Sequence, residues 1–326
     1  MSTLNSEKSM TVTDVNDIST SVPLAVPPNR PSVKDIAGAY LSLCKPRIVE
    51  LLLVSALPTL FVASRGFPSF GDFLVVVVGG TCAAASAGAF NCFIDRDIDQ
   101  LMERTRNRPL ARHQVAPRAA LIFGTCLGVV SVGLFLALSN LLAAVLTLCA
   151  IGYYALVYSL LLKRRTAQST LWGGLCGSAP VLIAWATVTG SLSWTALCLF
   201  LVVFFWQPPH FWALAIKYRD DYARADIPVL PVVASTRRVL AESIVHSWLM
   251  VFSSVAVWPL APTTPFYGVV SIGLGGAFLV KVHSIHQAVR RDRDPQTMGL
   301  FHGSIVYLTL LFASLAVDAV ISSYGS

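Results

Sequence analysis

The sequence predicts an all-α integral membrane protein of nine transmembrane helices, with its chemistry gathered on the cytoplasmic face. Three observations predict it: an apolar composition, nine separate apolar stretches of spanning length, and basic residues confined to alternate connections. Hydrophobic residues make up 55% of the 326-residue chain and charged residues 13%, roughly half the ~25% of a soluble domain. One soluble core of this length would leave much of that apolar surface in water. The composition excludes a disordered chain, a collagen-like fibre and a nucleic-acid-binding domain, so no nucleic-acid partner is expected. The seven cysteines are scattered through apolar runs without a CxxC pair and read as small hydrophobes.

The elements follow in order. Residues 1–33 are rich in Ser, Thr, Asn and Pro and contain no apolar core. They are expected to form a disordered cytoplasmic tail, neither a secretory signal nor a span. Residues 34–326 are expected to form one membrane domain. A span takes about 20 mostly apolar residues. Nine stretches qualify, at about 47–64, 73–93, 119–138, 141–161, 168–188, 194–214, 240–260, 267–284 and 301–322. Every lysine and arginine except Arg65 lies in the N-terminal segment and the entry to the first stretch, or at the ends of the second, fourth, sixth and eighth stretches and in the connections after them. Positive residues stay in the cytoplasm, so the N-terminus is expected inside and the C-terminus outside. The intervening connections, such as Ser139–Asn140, are short and uncharged.

Two of the basic connections also carry acid. After the second stretch come Asn91, Asp95, Asp97 and Asp99. On a helix, Asn91, Asp95 and Asp99 share one face, and like charges at that spacing repel. A cation should relieve them, and a row of hard oxygen ligands suits Mg²⁺. Asp97 would point elsewhere. The same loop continues through Arg104, Arg106 and Arg108, a ready anion site because guanidinium binds phosphate in bidentate fashion. Acidic metal ligands beside arginines are what a diphosphate site requires. After the sixth stretch, Lys217, Asp220, Asp221, Arg224 and Asp226 mix the same ingredients ahead of Pro228 and Pro231. Lys217 with Asp221 and Asp220 with Arg224 are each one helical turn apart and could instead form simple ion pairs, the alternative to a site there. Two acidic clusters on one face suggest two metal sites facing each other. Just before the second cluster, the run Trp206-Gln-Pro-Pro-His210-Phe-Trp212 places a histidine and a glutamine in an apolar span. Polar groups so placed default to function, and the paired prolines should open the backbone.

These motifs resemble the UbiA-type polyprenyltransferases. The resemblance rests on the acidic loop with Asn91, Asp95 and Asp99, the run from Arg104 to Leu110, and the second acidic loop. Within that family, the His210 segment and the run Asp221-Tyr222…Ile227-Pro-Val-Leu-Pro231 resemble the branch that farnesylates protoheme IX. So do Lys45-Pro-Arg47, Tyr158…Lys163-Arg-Arg-Thr166 and Tyr307-Leu, over about Lys45 to Phe312. The resemblance implies nine helices around a central cavity. It implies an enzyme that moves the farnesyl group of farnesyl diphosphate onto the vinyl group of heme b, giving heme O and diphosphate, a step toward heme A. It assigns Asn91, Asp95, Asp99 and Asp221 to catalysis as ligands of Mg²⁺, with Mn²⁺ as substitute. Arg104, Arg108, Lys163, Arg164 and Lys217 are assigned to the diphosphate, and His210 and Trp206 to the heme. Asp97, Asp220 and Asp226 receive no family role. Farnesyl diphosphate and heme b are the implied substrates, the lipid bilayer of the cell membrane the surroundings, and a downstream heme A synthase a partner. A sister enzyme acting on a quinone or aromatic ring would keep both acidic loops without needing the His210 segment. A transporter would place its polar residues near mid-membrane, whereas here they gather at one face.

Overall fold

The computed structural model describes residues 32–325. Except for Ser32 and Val33, the expected tail lies outside the described residues. The first element was not expected: helix α1 (Val33–Leu43). Ser32 Oγ accepts from the backbone N–H of Asp35, and the Asp35 carboxylate accepts from the N–H of Ser32. This capping box fixes where the helix starts. Leu43 at its end is fully buried.

Nine long helices follow among the described residues, each long and apolar enough to cross a membrane. They are α2 (Pro46–Ala63), α3 (Phe70–Ile94), α4 (Pro117–Leu138), α5 (Leu141–Gly152, continued by a π-helical segment to Leu162), α6 (Ser169–Thr189) and α7 (Trp194–Lys217). Short helices α8 (Arg219–Arg224) and α9 (Leu230–Val233) then fill the second acidic loop, and the last spans are α10 (Thr236–Leu260), α11 (Pro265–Arg290) and α12 (Thr297–Gly325). All nine expected stretches are therefore present, lengthened at most ends by a few polar or interfacial residues.

The chain folds as one closed bundle. Consecutive spans pack on each other, and α2 closes the ring by packing on α12. Apolar tails of lipid give little drive for helix association, so small residues and buried hydroxyls hold the spans together. The α3–α4 pair illustrates it. Ser86 Oγ donates to the Gly124 carbonyl, and Ser131 Oγ donates to the Gly79 carbonyl, each at 2.7 Å. Gly79 is required by the closeness: a Cβ there would sit 2.9 Å from the Phe135 ring. Farther round, the buried carboxylate of Asp318 on α12 caps the start of α11, accepting from the N–H groups of Thr264 and Tyr267.

Two expectations about local structure change. Pro208 and Pro209 lie inside an unbroken α7. Membrane helices tolerate interior prolines where their surroundings support the backbone. In α5 the second half, Tyr153–Leu162, is π-helical, and the loop-side end is closed by Lys163 N–H donating to the Tyr158 carbonyl at 2.9 Å. Such wide turns often mark functional positions.

A cavity of about 330 Å³ lies inside the bundle. Its lining positions on α3 run from Val76 to Gly88, about 18 Å along the axis at 1.5 Å per residue. The lining is largely apolar. Its polar residues, Lys45, Ser55, Tyr158, Gln207 and His210 among them, come from α2 and the residue before it, α5, α6 and α7.

Candidate active site

The α-helix of α3 ends at Ile94, but its hydrogen-bond rhythm does not. Asp95 N–H donates to the Asn91 carbonyl and Asp99 N–H to the Asp95 carbonyl. Asn91, Asp95 and Asp99 therefore stay on one face and are all buried, at 3%, 0% and 1% exposure. Asp99 itself sits on a 3-10 turn (Ile98–Gln100). Asp97 turns outward as expected. Its side chain is 60% exposed and forms a fork with Arg164, both bonds under 3 Å. The Arg164 hydrogen bonds hold the Asp97 carboxyl at about 2, below the usual carboxylate range.

The repulsion anticipated between the carboxylates is relieved by basic side chains. Lys45, held in a left-handed backbone conformation (φ 52°) just before α2, donates to Asn91 Oδ1. Asn91 Nδ2 donates to Asp95 Oδ2 at 2.8 Å and to Ser159 Oγ at 3.0 Å. Lys163 pairs with Asp95. Arg108 donates to both oxygens of Asp99 at 2.9 and 2.8 Å. The other oxygen of Asp95, Oδ1, is buried with no hydrogen-bond partner. An orphaned carboxylate oxygen in the interior is costly, and a hard cation would satisfy it.

The second acidic loop docks on the first through Asp221 and Tyr222. Buried Asp221 accepts from the backbone N–H groups of Glu103 and Arg104, at 3.2 and 3.3 Å, and pairs with Arg224. Arg104 in turn donates to Tyr222 Oη at 3.1 Å. Among the described residues the alternative ion pairs Lys217–Asp221 and Asp220–Arg224 do not form. Asp220 is exposed, and Asp226 is exposed with positive φ.

Of the expected site residues, only Trp206 and His210 line the cavity; Asn91, Asp95, Asp99, Asp221, Arg104, Arg108 and Lys163 lie outside its lining, and Lys45 links the carboxylate cluster to it. Arg164 is spent on Asp97 and on the carbonyl of Ile94. Lys217 is exposed and lies over the Tyr218 ring, because the last turn of α7 carries it past the cavity end. Among the described residues, no three His, Cys, Asp or Glu side chains converge as a metal-binding group. Asp95, Asp99 and Asp221 each pair with a different basic residue instead.

On the other wall, His210 lines the cavity with its ring stacked between Trp206 and Phe301, at centroid distances of 4.1 and 4.5 Å. Trp206 Nε1 donates to the Ser304 carbonyl at 2.7 Å. Gln207 Nε2 donates to the Gly174 carbonyl at 2.8 Å and to Ser178 Oγ at 3.1 Å. Gly177 makes room for it: a Cβ there would meet Gln207 Oε1 at 2.5 Å. Thr170 Oγ1 borders the same cavity, buried and unpartnered.

Sequence reasoning gave no site role to Lys45, Ser159, Thr170 or Ser304. Lys45 had a signal, a lone lysine directly before a proline-led span. The hydroxyls had none, since serine and threonine are ordinary residues of packed membrane helices.

Comparison with known proteins decides the family. The model of the UbiA prenyltransferase family matches residues 52–305. The chain belongs to that family. Among UbiA relatives, the protoheme IX farnesyltransferase of Salinispora tropica is 55% identical over 294 residues, covering 90% of this chain and 92% of its own. That of Nocardioides sp. (strain ATCC BAA-499 / JS614) is 49% identical, covering 90% and 94%. Solved structures share the UbiA fold at low identity. A digeranylgeranylglyceryl phosphate synthase superimposes with a TM-score of 0.73 at 14% identity, over 88% of this chain and 99% of that one. A UbiA homologue from Archaeoglobus fulgidus bound to DMAPP and Mg²⁺ gives 0.60 at 17% identity, over 85% and 99%. The chain is thus a multi-pass membrane protein with the UbiA fold, and the transporter reading falls.

Proposed function

We propose that this protein transfers the farnesyl group of farnesyl diphosphate to a vinyl group of heme b, giving heme O and diphosphate. One observation carries the reading: Lys45, tied to the buried carboxylate cluster, and His210 line the same apolar cavity. A charged headgroup and a flat, metal-bearing acceptor would meet there across a space suited to a prenyl chain. The names of the relatives, protoheme IX farnesyltransferases over nine-tenths of this chain, support heme as acceptor.

The donor half belongs to the acidic loops. Asn91, Asp95, Asp99 and Asp221 are the residues that would hold Mg²⁺, or Mn²⁺ in its place, and the unpartnered Asp95 Oδ1 fits a hard cation. Bound there, Mg²⁺ would neutralise charge on the diphosphate. Lys163, Arg108 and Arg104 stand beside these carboxylates and supply donors to the phosphate oxygens. When the C1–O bond breaks, its electron pair leaves with the diphosphate, and fixed cations stabilise that charge as it develops. The allylic cation left behind is shielded from water by the apolar lining. Trp206 and Phe211 present aromatic faces to it. The vinyl electrons form the new carbon–carbon bond, and water adds to the resulting cation, losing a proton to leave a hydroxyl group. His210 holds the heme.

The cell membrane is the proposed location, with the N-terminus cytoplasmic and the C-terminus outside, and a heme A synthase the proposed recipient of the product. The test is direct. Purified protein in liposomes with farnesyl diphosphate, Mg²⁺ and heme b should yield a heme of raised mass, and chelator should stop it. Unmodified heme, with a prenylated quinone or aromatic acceptor instead, would favour the sister enzyme.

A further inference from the structure

We infer that Ser304 fixes His210 as its Nδ1–H tautomer, so that the Nε2 lone pair faces the cavity as a ligand for heme iron. The inference deepens the functional reading above and rests on it. It begins with proton counting at one hydroxyl. Ser304 Oγ donates to the Phe301 carbonyl at 2.6 Å. A serine hydroxyl has one proton, so toward His210 Nδ1, 2.8 Å away, Ser304 Oγ acts as acceptor. Nδ1 must then carry the hydrogen. A neutral imidazole has one N–H and one lone pair, which leaves the lone pair on Nε2. That nitrogen makes no hydrogen bond among the described residues, and the ring borders the cavity.

Ser304 also fixes where the ring sits. Its carbonyl accepts from Trp206 Nε1, and Trp206 lies one turn before His210 on α7. One fully buried residue of α12 therefore holds two successive turns of α7, and the indole and Phe301 sandwich the imidazole. An imidazole clamped on both faces and hydrogen-bonded at one nitrogen is the arrangement by which an outer partner orients a metal-binding histidine and sets its tautomer. The sandwich leaves the ring edge carrying Nε2 as its one reactive position. Ser304 is a positioning residue in this account, acting through His210.

The experiment compares the parent protein with Ser304→Ala, Ser304→Thr and His210→Ala, each purified intact in detergent and checked by thermal melting. Ferric heme is titrated and followed by absorbance, and metal-free protoporphyrin IX is titrated by fluorescence. Ser304→Ala keeps the carbonyl that binds Trp206, so the fold should hold. It should weaken heme binding about 10- to 100-fold, the usual effect of losing an outer partner, and shift the heme spectrum toward that of His210→Ala. Binding of the metal-free porphyrin should be unchanged, and Ser304→Thr should restore the parent spectrum. Parent-like heme affinity and spectrum in Ser304→Ala would overturn the inference. So would equal weakening of both porphyrins, which would mark a packing role. Failure of the parent protein to bind heme at all would overturn the functional reading as well, so the two failures are distinguishable.

Discussion

At the scale of single residues, the proposed donor site is a set of buried carboxylates, each matched to a base. Asp95 has no exposed surface and shares Lys163 and Asn91. Asp95→Asn should abolish farnesyl transfer while the protein still inserts. Leaving the partly buried Lys163 without its partner should cost up to about 3 kcal/mol. Adding Lys163→Met should recover much of that stability and none of the activity, which melting and transfer assays on the four members of the cycle would check. If activity returned with stability, Asp95 would be a structural residue only. Asp99→Ala should likewise abolish transfer. Asp97 makes the contrast. Its carboxyl is held low by Arg164, at about 2 against an ordinary 3.8. The pair therefore contributes its full stability above pH 3.8 and loses it as pH falls toward 2. Because the side chain is mostly exposed, Asp97→Asn should cost under about 1 kcal/mol and retain most transfer activity. Melting curves at neutral pH and at the acid end would show a difference that vanishes in acid. Asp221→Asn should separate the two acidic loops and weaken farnesyl diphosphate binding while leaving heme binding nearly intact. Equal loss of both ligands would contradict the division of the site.

At the scale of elements, the spans were legible because about 20 apolar residues between polar ends leave few alternatives in a bilayer. Asn91, Asp95 and Asp99 were legible because the i+4 spacing persists in the backbone even after α3 ends. Three things were not. Helix α1 is short, and what declares it is a serine–aspartate cap inside a polar stretch. The unbroken α7 could not be read from Pro208 and Pro209, since neighbouring helices decide whether a proline bends a span. The π-helical half of α5 leaves no mark in composition, because its register is set by where Ser159 and Lys163 must reach. That last point is testable. Deleting Leu160 should remove the extra residue, let the segment wind as a plain α-helix, and rotate Lys163 away from Asp95. The variant should insert in the membrane and lose transfer. Retained activity would mean that the wide turn is incidental. The hydroxyl bonds between α3 and α4 are worth less individually: Ser86→Ala and Ser131→Ala should each cost about 0.6 kcal/mol, the average for such bonds in a membrane, measured by unfolding in mixed micelles.

At the scale of the whole molecule, one closed ring of helices encloses a cavity that joins polar residues near the basic connections to apolar depth. Both substrates dissolve in lipid along most of their length, and each has one feature needing polar treatment, a diphosphate or an iron. A bundle with Lys45, tied to the carboxylate cluster, on one wall and a clamped imidazole on another meets both needs without leaving the bilayer. The acceptor is the central claim, because the acidic loops alone would serve any prenyl diphosphate. The most direct measurement is the mass of the hemes extracted from cell membranes with and without this protein, alongside cells carrying Asp95→Asn. The account predicts a heme heavier than heme b by a hydrated farnesyl group, present only with the parent protein. An unchanged heme profile together with altered quinones would contradict it.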